Sequence, residues 1–330
     1  NDITQTSAGV ITAAALGARS EQGHVVLPAQ NVIGTFAAKA GKDVGLQVKG
    51  SVKIDTVAQD DVVTAFEKID GISSAGNVVV KADSSQTPSD AQITVEQIIT
   101  ANKIGLSANT LALNADLGGI GFVPATPASP GIPAKDAVLK YATAVMLSGK
   151  TVTQTTGKLI YTNAIGFFDH TPTVAFQHDQ PIEIAGKTSG DFNIKTSGDF
   201  NIKTSGSIHV GAIGEITAGP DYENRTVQVG GVSGITADTV RLWADETGSV
   251  TQSAAVDANV ALGVRAGQNI TLGNTSNKVG NDTSANGQLA LVADSGSILF
   301  NEATGGGGYT IDQVAKGTFT TFEDINGNHP

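Results

Sequence analysis

The chain has 330 residues, of which 40 are glycine, 10 proline and none cysteine; 15% are charged and the formal net charge is −11. The missing cysteine excludes a disulfide framework, thiolate metal sites and a cysteine nucleophile. An acidic balance without clustered Lys and Arg argues against a nucleic-acid or anionic-membrane surface, and no apolar run approaches the roughly 18 residues that cross a bilayer. The apolar content comes from Val, Ile, Leu and Ala, with aromatics at 5%, which is the composition of strands and turns. Asn1 begins with no signal-like segment ahead of it, so a mature product or a fragment of something longer is expected.

In chain order, the first phrases are Ile3-Thr4-Gln5-Thr6, Asn31-Val32-Ile33-Gly34, Gly41 and Gly50-Ser51-Val52. They return about 246 positions later as Val250-Thr251-Gln252-Ser253, Asn277-Lys278-Val279-Gly280, Gly287 and Gly296-Ser297-Ile298. Four markers in one order imply a repeated unit, and such units bury their apolar face only by stacking on neighbours. Next, Asp60 to Ile69 carries Val62, Val63, Phe66 and Ile69 at helical spacing behind an acidic start, which predicts one short helix as a cap or side excursion. A Leu/Val-x-Ala-Asp phrase occurs at Val80, Leu113, Leu242 and Leu291, and Ile-Thr-Ala at Ile11, Ile99, Ile216 and Ile235. Between them Ile104, Leu106, Ala108, Leu111, Leu113 and Ala115 alternate with period two in short runs, the pattern of strands and turns.

Pro124, Pro127, Pro130 and Pro133 stand every third residue, which forbids a central strand and predicts an excursion loop. A third Thr-Gln start, Val152-Thr153-Gln154, precedes Asn163-Ala164-Ile165-Gly166. Thr188 to Lys195 is repeated without change at Thr196 to Lys203, a turn-plus-strand unit suited to a tightly wound stretch of one stack. Gly305 to Gly308 should be a loop. The fold expected is all-β, a right-handed parallel β-helix (β-solenoid) with loop excursions. Its strands would fill 1–123, a Pro-rich excursion 124–134, irregular coils with the eight-residue repeats 135–234, and further coils with a C-terminal segment 235–330. An array of β-sandwiches would instead need strands of about eight residues and a repeat near 100.

Gly149-Lys150-Thr151 and Gly186-Lys187-Thr188 lack the glycine that a phosphate loop needs five residues earlier, where Ala144 and Pro181 stand. The ionisable cluster worth weighing is Asp169, His170, His178 and Asp179: on one strand face two imidazoles beside carboxylates could bind a divalent metal, but Pro172 interrupts and no third ligand is evident. Asp324-Ile325-Asn326-Gly327-Asn328 opens like a calcium loop with no closing acid. Asn224, Asn269, Asn274 and Asn281 begin glycosylation sequons. Trp243, the single tryptophan, suits either sugar stacking or a packing contact. No catalytic, cofactor or metal site is therefore expected.

The order Ile-Thr-Gln, Ile-Thr-Ala, Leu-x-Ala-x-Gly, Asn-x-Ile-Gly, Leu-x-Ala-Asp-x-Gly-Ser-Ile resembles the repeats of filamentous-haemagglutinin-type adhesins, large exoproteins of bacterial two-partner secretion. The likeness covers 1–58 and 235–303 well, 90–120 and 150–166 partly and 167–234 poorly; the family's Asn-Pro-Asn turn is missing. It implies a stalk or distal segment of a secreted, cell-surface protein. The expected partners are a cell-surface receptor or extracellular polysaccharide, with self-association as a further class, no nucleic acid and no membrane insertion. The alternatives are a β-helical polysaccharide lyase, hydrolase or phage tailspike, which needs converging carboxylates in an aromatic groove, and a self-assembling sheath or surface-layer protein.

Overall fold

In a computed structural model, the structure describes residues 1–6, 8–59, 66–83, 90–123, 138, 140–155, 157–168, 176–178, 182–187, 192–195, 202–204, 207–220, 225–244, 247–281, 285–303, 308–312 and 314. Among them every regular element is a strand, and most pair in parallel. The chain divides into two compact units, 1–162 with 215–230, and 163–214 with 231–330.

In the first unit one sheet is built from Ile3–Thr4, the start of Val25–Ala40, then Val44–Lys49, Val78–Asp83, Lys103–Ser107 and Ala144–Ser148. Its register runs Val25, Val44, Val78, Ile104, Val145 and, two residues on, Leu27, Leu46, Val80, Leu106, Leu147; all ten side chains are buried. Parallel pairing puts like on like, so β-branched and leucine residues at matching positions become continuous apolar rows. A second sheet carries Leu16, Phe36, Ile54, Val95 and Leu113 in register, and beside them Ala38, Ile72, Ile99, Leu117 and Ile160.

The alternation breaks at Val26, Gly45, Val79, Gly105 and Met146, which share one row on the outward face and yet include three fully buried side chains. The reason is an antiparallel hairpin, Ile216–Ala218 with Val227–Val229, lying over that face. It comes so close that a Cβ on Gly45 would meet the Ala218 carbonyl at 3.2 Å, and one on Gly105 the Val229 side chain at 3.3 Å. Polar bonds fasten it: Asn77 Nδ2 donates to the Thr217 carbonyl (2.9 Å), the Gly219 amide to Asp43 Oδ2 (3.0 Å) and Arg225 to Thr4 Oγ1 (2.9 Å).

In the second unit Ile182, Ile208, Val250, Ile270 and Ile298 stand in register, as do Val240, Leu262, Leu289 and Ile311. The identical octapeptides each contribute a described strand, and the two strands pair with different segments. Phe192–Lys195 pairs with Val240–Trp243, and Ile202–Thr204 pairs with Phe176–His178. Of the expected short helix only the last residues are described, and they are not helical: Ile69–Asp70 is a strand antiparallel to Thr56–Val57, and Phe66 lies over Gly17. Residues 60–65 lie outside the described ones.

Candidate functional site

The long repeat has a physical content that its sequence did not disclose. Asn31 is fully buried and faces Gln5: Gln5 Nε2 donates to Asn31 Oδ1 (2.6 Å), and Asn31 Nδ2 returns a bond to Gln5 Oε1 (3.0 Å). The same Oδ1 accepts the Ile11 amide (2.9 Å), and Nδ2 reaches the Ala29 and Gln47 carbonyls (2.9 and 3.1 Å). The second copy repeats the exchange and its backbone contacts in kind. Gln252 and Asn277 exchange amide bonds of 2.7 and 2.9 Å, Asn277 Oδ1 accepts the Val256 amide (2.9 Å), and its Nδ2 reaches the Leu272 and Asn301 carbonyls (3.1 and 3.0 Å). Thr-Gln and Asn-x-Ile/Val-Gly are thus the two halves of a buried amide clamp that satisfies backbone groups between strands.

The other two markers are not equivalent. An antiparallel return at Gly280–Asn281 and Ala285–Asn286 lengthens the second copy, so Ile298 stands in the row of Val250 and Ile270, whereas Val52 pairs with Ile93 in the other sheet of its unit. Val152-Thr153-Gln154 lies in the strand Thr151–Gln154, with Gln154 in register with Leu113.

Side chains able to do chemistry are bonded from strand to strand. Preceding successive strands of the first unit, the His24 amide donates to Asp2 Oδ1 (3.0 Å), His24 Nδ1 lies 3.2 Å from Asp43 Oδ2, and the Asn77 amide donates to Asp43 Oδ1 (2.7 Å). Asn102 then bonds Asn77 (3.4 Å), and Thr143 bonds Asn102 (2.7 Å). Glu96, Asn114 and Thr155 form a similar ladder. In the second unit each backbone amide of Ser249, Asn269 and Ser297 donates to the side-chain oxygen one strand back, on Ser207, Ser249 and Asn269. His209 places Nδ1 2.8 Å from Thr251 Oγ1 and Nε2 3.0 Å from Ser253 Oγ, so both ring nitrogens bridge to the neighbouring strand. The sequence offered no signal for His24 or His209, because their partners are one strand away rather than nearby in the chain.

Of the cluster weighed for a metal, Asp169, His170 and Asp179 lie outside the described residues, and His178 ends the strand Phe176–His178. The segments 124–137 and 316–330, which hold the proline series and the calcium-like start, lie outside them too. Among the described residues no three His, Cys, Asp or Glu side chains are grouped to hold a metal, and no helix is long and apolar enough to cross a membrane. The Lys150 and Thr151 amides both donate to the Asn109 carbonyl (3.1 Å each), which leaves no phosphate nest there. Asn274 Oδ1 accepts the amide of its own sequon's Ser276 (2.9 Å). Asn224 lies outside the described residues.

Three surfaces stand out among the described residues. In the first unit an open groove of about 210 Å³ is lined by Glu21, Lys39, Ser73 and Ile120. Arg19 joins Glu21 (2.9 Å) and Glu67 (2.7 Å) beside it; that bond holds the Glu67 carboxyl below and the Arg19 guanidinium above their ordinary values. In the second unit the half-buried Trp243 packs against the Ala261–Ala290–Val314 cluster and carries the Arg265 guanidinium 5.2 Å from its ring centroid, with Asp294 3.4 Å beyond. That is the packing role rather than a free sugar platform. The third surface is apolar: Ile298, Leu299 and Ile311 are 47%, 50% and 84% exposed, and Tyr309 stands against Phe300. No family model, curated protein or solved structure matches the chain.

Proposed function

We propose that the stacked parallel sheets form a right-handed β-solenoid with loop excursions, and that the chain is a non-catalytic adhesin or structural rod secreted to the bacterial cell surface. One observation carries the reading. The Asp, His, Asn, Ser and Thr side chains that an enzyme would converge on a substrate are here bonded along the stack, as in Asp2–His24–Asp43–Asn77 and His209–Thr251. Polar ladders of this kind stiffen a repeat without creating a reactive group. The resemblance to filamentous-haemagglutinin-type repeats supports the same reading, and the Gln5–Asn31 and Gln252–Asn277 clamps give its first two markers a structural reason. Recognition then belongs to excursions on a rigid scaffold, with a surface receptor or extracellular polysaccharide as partner.

The test uses the purified full chain on two readouts: retention on fixed cells and immobilised extracellular polysaccharide, and release of reducing ends or unsaturated products from a polyuronate panel. Retention without product is expected. Sustained product release that His209→Ala abolishes would replace this reading with the glycan-active enzyme.

A further inference from the structure

The groove of the first unit lies beside a polar row. Arg19, Lys39, Ser73 and Thr100 stand in register on four successive strands, so the row reads cation, cation, hydroxyl, hydroxyl across the stack. Glu21 follows the first of these strands, and it lines the groove together with Lys39 and Ser73 on the next two. Neighbouring strands lie about 4.8 Å apart, so the groove crosses two strand steps, roughly 10 Å. Ile120, 49% exposed, adds an apolar wall. It belongs to the excursion that leaves the stack after Leu117–Gly118 and is tied back by the antiparallel bridge between Val123 and Val138.

The groups presented there suit a pair of neighbouring hydroxyls. Arg19 Nε holds Glu21 Oε1 at 2.9 Å, which orients the carboxylate, and its other oxygen stands 3.8 Å from Lys39 Nζ. That distance is too long for a hydrogen bond, so an acceptor and a donor lie side by side with capacity to spare. Ser73 Oγ accepts from Thr100 Oγ1 (3.4 Å), which leaves its own proton for a guest. In a vicinal diol one hydroxyl donates to Glu21 while its neighbour accepts from Lys39, and the C–H face of the sugar ring rests on Ile120. A peptide finds no such match, because the Gly41 and Ala75 amides of the groove are already given to the Ser20 and Ala40 carbonyls (2.8 and 3.1 Å). A polyanion meets Glu21 and Glu67 beside the two cations, on a chain whose net charge is −11.

We infer that this groove binds an uncharged linear polysaccharide lying across the strands, with Glu21 and Lys39 sharing the vicinal hydroxyls of one sugar and Ser73 reaching the next. One pyranose ring is about as long as one strand step, so about two sugars fill the groove. The inference rests on the adhesive reading and names the class of glycan and the place that holds it.

Titration calorimetry of the purified full chain with glucose-, mannose- and galactose-based oligosaccharides of increasing length tests this, with oligogalacturonate as the charged arm. At least one neutral series is expected to bind, its affinity rising to the disaccharide or trisaccharide and then levelling. Lys39→Met and Glu21→Gln should each weaken binding about tenfold or more, the cost of losing a bond to a charged group. The Lys39–Glu21 pair is exposed and long, so Lys39→Met should leave the melting temperature in place. Should Glu21→Gln melt early by freeing Arg19, Ser73→Ala and Ile120→Ser carry the same test. Failure of every neutral series, tighter binding of oligogalacturonate, or full affinity in the groove variants overturns the inference. Retention on fixed cells separates it from the adhesive reading. Cells that hold the chain while no neutral glycan binds leave adhesion and remove this site; a glycan bound in solution by a chain that cells do not retain leaves the site and removes adhesion.

Discussion

Replacing Asn277 by alanine removes one half of a clamp with nothing nearby to take its place. Its Oδ1 is the acceptor for the Val256 amide (2.9 Å), which begins a buried strand, and its Nδ2 serves the Leu272 and Asn301 carbonyls. Gln252 keeps a bond to the Ala254 carbonyl (2.7 Å), so it is not wholly orphaned, but the Val256 donor is. A buried unpaired amide costs about 1–3 kcal/mol, and the lost carbonyl partners bring the total to about 3 kcal/mol. For a unit of roughly 150 residues that lowers Tm by about 6–12 °C. Trp243, the only tryptophan, lies in the same unit, so its fluorescence follows this transition. Asn31→Ala should destabilise the first unit by a similar amount, seen by circular dichroism. Because Gln252 and Asn277 act as a pair, the double alanine variant should cost about 1 kcal/mol less than the sum of the singles. A shift under about 1 °C, or strict additivity, would refute the clamp as the reason for the repeated marker.

The remaining predictions concern packing and ionisation. Leu242 is fully buried between Ile194 and Val264 in register, so Leu242→Asp should cost upwards of about 4 kcal/mol. Leu291, half-buried with no described strand on its later side, should tolerate the same change far better; equal losses in urea melts would put the register in error. Gly45→Val should drive the valine into Val227 and the Ala218 carbonyl and lift the hairpin, so limited proteolysis within 215–230 should accelerate while the sheets stay folded. Unchanged cleavage there would mean that the glycine row is not what seats the hairpin. Burial pushes the Tyr161 phenol up to about 12, with the Asp116 carboxylate adding to it. The folded state then holds its proton longer than the unfolded one, so stability is lost as pH rises from about 10 towards about 12. Absorbance at 295 nm should show a phenol ionising above the ordinary range that Tyr161→Phe removes, and the same change should flatten that alkaline loss.

How much of this was legible in the sequence depends on which residues touch along the chain and which touch across it. Period-two runs such as Ile104, Leu106 and Leu111, Leu113 announce strands, and they are strands with those side chains buried. The repeat was legible as a repeat, because Thr-Gln and Asn-x-Ile-Gly recur at matching spacing; its reason was not, since Gln5 and Asn31 meet 26 residues apart. Phe66 and Ile69, at the end of the spacing that suggested a helix, do not sit on one, because a ring packed over Gly17 and a strand residue paired with Val57 are apolar just as a helix face is. Gly50 and Gly296 misled for another reason: a turn glycine is interchangeable among turns, whereas a buried amide that must reach its partner and a strand's amide and carbonyls is not.

That contrast also explains why function was harder to see than fold. Val44, Val78 and Ile104 specify a sheet by being alike, and likeness is visible in a string of letters. A ladder such as Asp2, His24, Asp43, Asn77 is specified by unlike residues whose only shared property is their place one step before a strand. Once the register is known, those residues are legible as bridges between strands. The same register puts the exposed Ile298, Leu299 and Ile311 on strands that have no later neighbour among the described residues.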